Sequence, residues 1–227
     1  MVSAAGHDTV TSEGQASSID AVVFDVGGVL LDWNPRHLYR KVFDDADAME
    51  WFLSAICTSE WHGPHDRGAS TAESCATLAE AHPEYADEIW AWATRSEEMV
   101  AGAFDDAVAI VTELTGDGVA CYVLSNMEAE TFPLRFERFP FFRLFEGILI
   151  SGQEGMAKPD DQIFELLIER FELDPSTTVF IDDNVGNLHP AAALGMSTVL
   201  HQSPEGLRRS LRGLGLLSGP PGVGRAT

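Results

Sequence analysis

The chain has 227 residues, 45% of them hydrophobic, with a mean hydropathy of -0.02. That suits one ordinary domain, or a core carrying a smaller insertion, with enough apolar material for a buried interior. A net charge of -22 argues against partners that are themselves polyanionic, nucleic acid and anionic membrane alike. No apolar run approaches the ~18 residues that cross a bilayer.

In chain order, residues 1–18 are too polar for a secretory leader and are expected to be a disordered tail, as are residues 218–227. Short apolar runs then read as strands: AVVFDV (21–26), ACYVLSN (120–126), GILIS (147–151), TTVFIDD (177–183) and STVLH (197–201). Most are apolar throughout rather than alternating, the pattern of parallel strands covered on both faces. Helical patterns separate the later runs: FDDAVAIVTELT (104–115), PDDQIFELLIERF (159–171) and LHPAAALG (188–195). Strands alternating with helices predict an α/β fold, a doubly wound Rossmann-like parallel sheet. Residues 35–102 interrupt that rhythm. They hold helical stretches and Trp51, Trp61, Trp90 and Trp92, with no strand pattern, and are expected to form an all-helical insertion between core segments 19–34 and 103–217. Cys57, Cys75 and Cys121 show no metal-ligand spacing and read as free thiols in a reducing cytoplasm.

In an open α/β sheet, ligands bind beyond the carboxyl ends of the strands. The residues there are Asp25, Ser125 with Asn126, and Asp182 with Asp183, while the loop SGQEGMAKPD delivers Lys158 ahead of a helix. Carboxylates, a hydroxyl, an amide and an ammonium converging on one rim have the composition of a metal-assisted phosphoryl-transfer site. Lys158 is one of only two lysines, so its position does not reflect a lysine-rich composition.

The segments FDVGGVLLD, VLSN, AKPD and FIDDNVGN occur in this order, and with them residues ~20–213 resemble the haloacid dehalogenase (HAD) superfamily. The resemblance implies a helical cap over the site and, in its phosphatase branch, Mg²⁺-dependent hydrolysis of a small phosphorylated metabolite. It further implies Asp25 as the nucleophile that becomes an aspartyl-phosphate, Ser125 and Asn126 as phosphoryl contacts, and Lys158 as the charge partner. Asp25, the Gly27 carbonyl and Asp183 are implied as metal ligands, with Asp182 close by and Asn187 behind them.

One position departs from that pattern. Phosphatases of this superfamily normally carry a second aspartate two residues after the nucleophile, where its side chain is the general acid and base. Here the residue is Gly27. Asp32, Glu60, His62, His65 and Asp66 are the nearby groups that could stand in, and Arg67, on the same loop, is a candidate substrate contact. A metal-free 2-haloacid dehalogenase, whose halide leaves without a proton, and a non-catalytic domain binding a phosphorylated ligand are the alternatives. A cytoplasmic monomer or homodimer is expected.

Overall fold

The computed structural model describes residues 18–218; the two expected tails, Ser18 and Ser218 apart, lie outside them. Five parallel strands form the central sheet: β1 (Ala21–Phe24), β4 (Ala120–Ser125), β5 (Gly147–Ile150), β6 (Thr178–Asp182) and β7 (Ser197–Leu200), in the order β5-β4-β1-β6-β7. A further pair, β2 (Leu31–Trp33) and β3 (Val100–Ala103), is antiparallel and separate from the sheet.

β1 is central and buried at every residue, which is why its sequence does not alternate. Its side chains divide between two cores. Val22 and Phe24 join α6 (Asp105–Gly116) and α11 (Pro204–Gly213), while Ala21 and Val23 join α9 (Asp161–Phe171) and α10 (Val185–Ala193). Each fully buried Phe or Leu contributes roughly 1.5–3 kcal/mol. Phe24 pairs with Val123 on one side and Ile181 on the other, so the ends of β1, β4 and β6 lie level. Asp25, Ser125 and Asp182 are thereby brought together by strand register alone.

Between β2 and β3 the chain is helical: α1 (Arg36–Tyr39), α2 (Ala46–Ala55), α3 (Ser59–His62), α4 (Thr71–Ala81) and α5 (Ala86–Thr94). These helices enclose a core of their own, in which Tyr39, Phe52, Ile89 and Trp92 are buried. α4 falls within the segment expected to be helical, and its start carries a recognisable cap: Ser70 Oγ accepts the Glu73 N–H at 3.3 Å. Residues 35–102 are not entirely free of strand either. Val100–Ala103 pairs with Leu31–Trp33, so the two chain segments entering and leaving the insertion run side by side. Such short stretches, packed on one neighbour each, are too brief to show a period of two. The remaining helices are α7 (Phe132–Arg138), after β4, and α8 (Ser151–Glu154), directly after β5.

Candidate active site

Lys158 occupies the centre of the carboxyl-end rim and is almost wholly buried. Its ammonium donates to Asp182 Oδ2 at 2.7 Å and to the Leu124 carbonyl at 3.0 Å, and lies 2.8 Å from Asp25 Oδ1. It also sits 5.4 Å from the ring centroid of Phe180, a core residue of β6. The Lys158 backbone is clamped to the end of β4, since Asn126 Nδ2 donates to its carbonyl and Asn126 Oδ1 accepts its N–H, both at 2.9 Å. Asn126 thus fixes the loop that delivers the lysine.

The two adjacent aspartates separate, as strand geometry requires. Asp182 points inward and is fully buried. Besides Lys158 it accepts the Asn184 N–H at 2.8 Å and the Asn187 amide at 3.0 and 3.1 Å. With those donors around it, Asp182 orients the lysine. Asp183 is exposed and lines a cavity of about 420 Å³ together with Gly27, Gly28, Ser125 and Asn126. Gly28 has φ +72°, and a Cβ there would meet Asp183 Oδ2 at 2.2 Å, so the missing side chain makes room for that carboxylate. Around Gly27 a Cβ would meet nothing within 4 Å.

Burial pushes Asp25 up to about 6 despite its ion pair, with Asp182 adding to the shift. Burial works against the charge on Lys158, but Asp25 and Asp182 together outweigh it and hold its pKa above the ordinary lysine value. Carboxylate oxygens of Asp25, Asp182 and Asp183 lie within 4.8 Å of one another. Three carboxylates beside one ammonium leave this corner electronegative, and their hard oxygen donors suit Mg²⁺.

The insertion closes the other side of the cavity. Trp33, Trp92, Leu31 and Val100 give it an apolar wall, while Glu128 and Arg135 give it a polar one. Arg135 is buried and ion-paired with Glu97 at 3.4 Å. None of these wall residues was legible as functional. Two belong to the insertion's own packing, and Glu128 and Arg135 lie in a loop and helix without motif spacing.

His62 reaches the cavity with its ring stacked on Trp92 at 5.2 Å, whereas Trp61 packs edge-on against Trp92 and His65 inside the helical layer. Asp32 is paired with His37 at 2.9 Å, and neither Glu60 nor His65 lines the cavity. Arg67 stands at the edge of an adjoining cavity with Asn126 and Lys158, its guanidinium paired with the Asp160 carboxylate. That pair joins the insertion to the core.

A family model for haloacid dehalogenase-like hydrolases matches residues 19–195. The chain belongs to the haloacid dehalogenase-like hydrolases. A sesquiterpene phosphatase of Aspergillus oryzae, astK, is 31% identical over 79% of this chain and 88% of its own length. Acyl-CoA dehydrogenase family member 10 of Mus musculus is 27% identical over 87% of this chain, which spans only 19% of that protein. Among solved structures, a HAD family enzyme of Bacteroides thetaiotaomicron in complex with magnesium and inorganic phosphate superposes with TM-score 0.63 at 21% identity, covering 82% of this chain and 95% of that one. A dehalogenase superposes with TM-score 0.57 at 22% identity, over 82% and 86%. This HAD hydrolase has no helix, among the described residues, long and apolar enough to cross a membrane.

Proposed function

We propose that this HAD hydrolase is a phosphatase that hydrolyses a small phosphorylated metabolite with Mg²⁺, through a phosphoryl intermediate on Asp25. The observation that carries the reading is the corner at the sheet rim: Asp25 held 2.8 Å from the Lys158 ammonium, with Asp183 alongside and facing the cavity. Asp25 Oδ attacks phosphorus while Lys158 offsets the charge that builds on the transferring group. Ser125 and Asn126 line the cavity where the phosphoryl oxygens would sit, and Asp182 keeps the lysine aimed. Asp25, the Gly27 carbonyl and Asp183 would hold the metal, which when bound supplies Lewis-acid polarisation of the phosphoryl group.

In this reading residues 35–102 are the cap. With Trp33 and Leu31 of β2, Trp92 and Val100 of this segment form an apolar wall that favours an ester whose alcohol is compact and apolar. The resemblance to a protein named as a sesquiterpene phosphatase points the same way. The metal-free dehalogenase reading is weaker, because Asp183 lies in the acidic group beside the nucleophile and, among the described residues, forms no ion pair.

The test is phosphate release from a panel of prenyl, sugar and nucleoside monophosphates, in Mg²⁺ and in EDTA. Release that needs both Mg²⁺ and Asp25, lost in Asp25→Asn, is the expected result. Release indifferent to Asp25, or none from any ester, overturns the reading, and chloride release from 2-chloropropionate without metal would install the dehalogenase in its place.

A further inference from the structure

Gly27 leaves the proposed phosphatase without the side chain that would move protons, and the insertion brings a carboxylate of its own to the same place. The turn Gly63–Arg67 of the insertion is docked on the core by two contacts. On one side the Arg67 guanidinium pairs with Asp160, two residues beyond Lys158. On the other, Gly68 (φ +85°) packs so closely on α8 that a Cβ would meet the Gly152 carbonyl at 2.9 Å. Gly152 is in turn backed by the loop after β4, its N–H donating to the Met127 carbonyl at 3.1 Å. Between these anchors Asp66 lines both cavities, the one it shares with Gly27, Ser125 and Asp183 and the one it shares with Asn126 and Lys158. Among the described residues no hydrogen bond or ion pair engages its half-buried carboxylate.

We propose that Asp66 is the general acid and base that Gly27 cannot be. Resting on the phosphatase reading, the step balances as follows. Asp25 forms its bond to phosphorus as the ester P–O bond breaks, and the leaving oxygen takes the Asp66 proton to depart as an alcohol. Water then attacks phosphorus, its proton passing to the Asp66 carboxylate. The Asp25–phosphorus bond breaks with its electron pair returning to Asp25, and orthophosphate is released with Asp66 protonated again.

The surroundings agree with this role. Burial pushes Asp66 up to about 6; Glu128 and Asp25 add to the shift, while Lys158 and Arg135 oppose it. His62, the other ionisable side chain that the insertion's helices bring to this cavity, has its pKa lowered by burial, so it is neutral near pH 7 and has no acidic proton to give.

The experiment compares p-nitrophenyl phosphate, whose leaving group needs no proton, with an alkyl phosphate, whose leaving group does. Asp66→Asn keeps the shape of the side chain. It should lower kcat on the alkyl ester by about 10²–10⁴-fold. First-turnover nitrophenolate release should stay within a few-fold of wild type and appear as a burst, followed by a slow steady state as the phosphoenzyme waits for its base. Adding Gly27→Asp to that variant fills open space and should recover alkyl turnover, which restoring a merely structural contact would not do. Equal losses of first-turnover release on both esters, or no loss on either, with wild type active and dependent on Asp25, would overturn the role of Asp66 and leave the phosphatase reading standing. Wild type inactive on every ester would overturn both.

Discussion

Lys158 holds the buried corner together, and its replacement should cost more than replacement of Asp25, the proposed nucleophile. In Lys158→Met both Asp25 and Asp182 lose the only cation paired with them among the described residues, and breaking a buried pair in this way typically costs about 3–5 kcal/mol. Urea unfolding should show that loss together with loss of turnover. Asp25→Asn should do the opposite to stability. A carboxylate raised to about 6 from 3.8 contributes stability that is full below pH 3.8 and lost as pH rises through 6. At pH 7.5 in EDTA the amide should therefore stabilise the fold by on the order of 1–3 kcal/mol while abolishing phosphate release. His65 carries the reverse sign. It is buried, with neither ring nitrogen hydrogen-bonded among the described residues and the Glu128 carboxylate 3.7 Å from Nδ1, and burial pushes it down to about 4 from 6.5, so its contribution is present above pH 6.5 and lost as pH falls towards 4. His65→Phe should gain about 2 kcal/mol over wild type on going from pH 7.5 to pH 5, and parallel melts at the two values would show no such gain if the ring were hydrogen-bonded. The residues at strand ends (Asp25, Ser125, Asp182, Asp183) were legible in the sequence because position and chemistry coincide there. The resemblance already singled out Asp183 over Asp182 as the implied metal ligand; that Asp182 is instead the buried partner of Lys158 could be seen only in the structure.

At the scale of elements, the inner strands β1, β4 and β6 could be read because they are buried on both faces and so keep an apolar run, and the edge strands β5 and β7 from short β-rich stretches that are only partly buried. The β2–β3 pair and α4 could not be read in the same way. Leu31–Trp33 and Val100–Ala103 are too short for a period, and α4 buries only Thr71 and Cys75 fully, so its apolar stripe is weak. What the strand reading could not supply was the docking of the insertion, which depends on backbone approach rather than on side-chain pattern. Gly68 is the sharpest case. An alanine there must adopt a left-handed conformation and press its Cβ on the Gly152 carbonyl, at a cost of about 1–2 kcal/mol. Gly68→Ala should lower kcat severalfold by shifting the turn that carries Asp66, whereas Gly118→Ala, also at positive φ but open to space, should cost similar stability and leave kcat unchanged. Equal kcat values for the two variants would disconnect that turn from the chemistry.

For the whole molecule, the charge of -22 sets the terms on which an anionic substrate arrives. Of thirty-six acidic residues against fourteen basic ones, Asp183, Asp66 and Glu128 line the cavities, with Asp25 beside Asp183 and with Lys158 and Arg135 as opposing charges. A phosphate ester approaching from solvent therefore meets a repulsive field until it is within a few ångströms of the metal and the lysine. Salt shortens the reach of that field, from about 30 Å at 0.01 M to about 10 Å at 0.1 M. It weakens the buried Lys158 contacts far less. The two effects separate in kinetics: with Mg²⁺ saturating and held fixed, raising NaCl from 10 to 100 mM should increase kcat/KM by lowering KM, with kcat flat. Most enzymes for anionic substrates steer them with positive charge and show the opposite slope. A fall in kcat/KM with salt would mean that local cations, not the net charge, govern approach. The predicted rise would mean that this hydrolase binds its phosphoryl group by short-range contacts alone, which makes the apolar wall of Trp33 and Trp92 the main source of affinity for the rest of the ester.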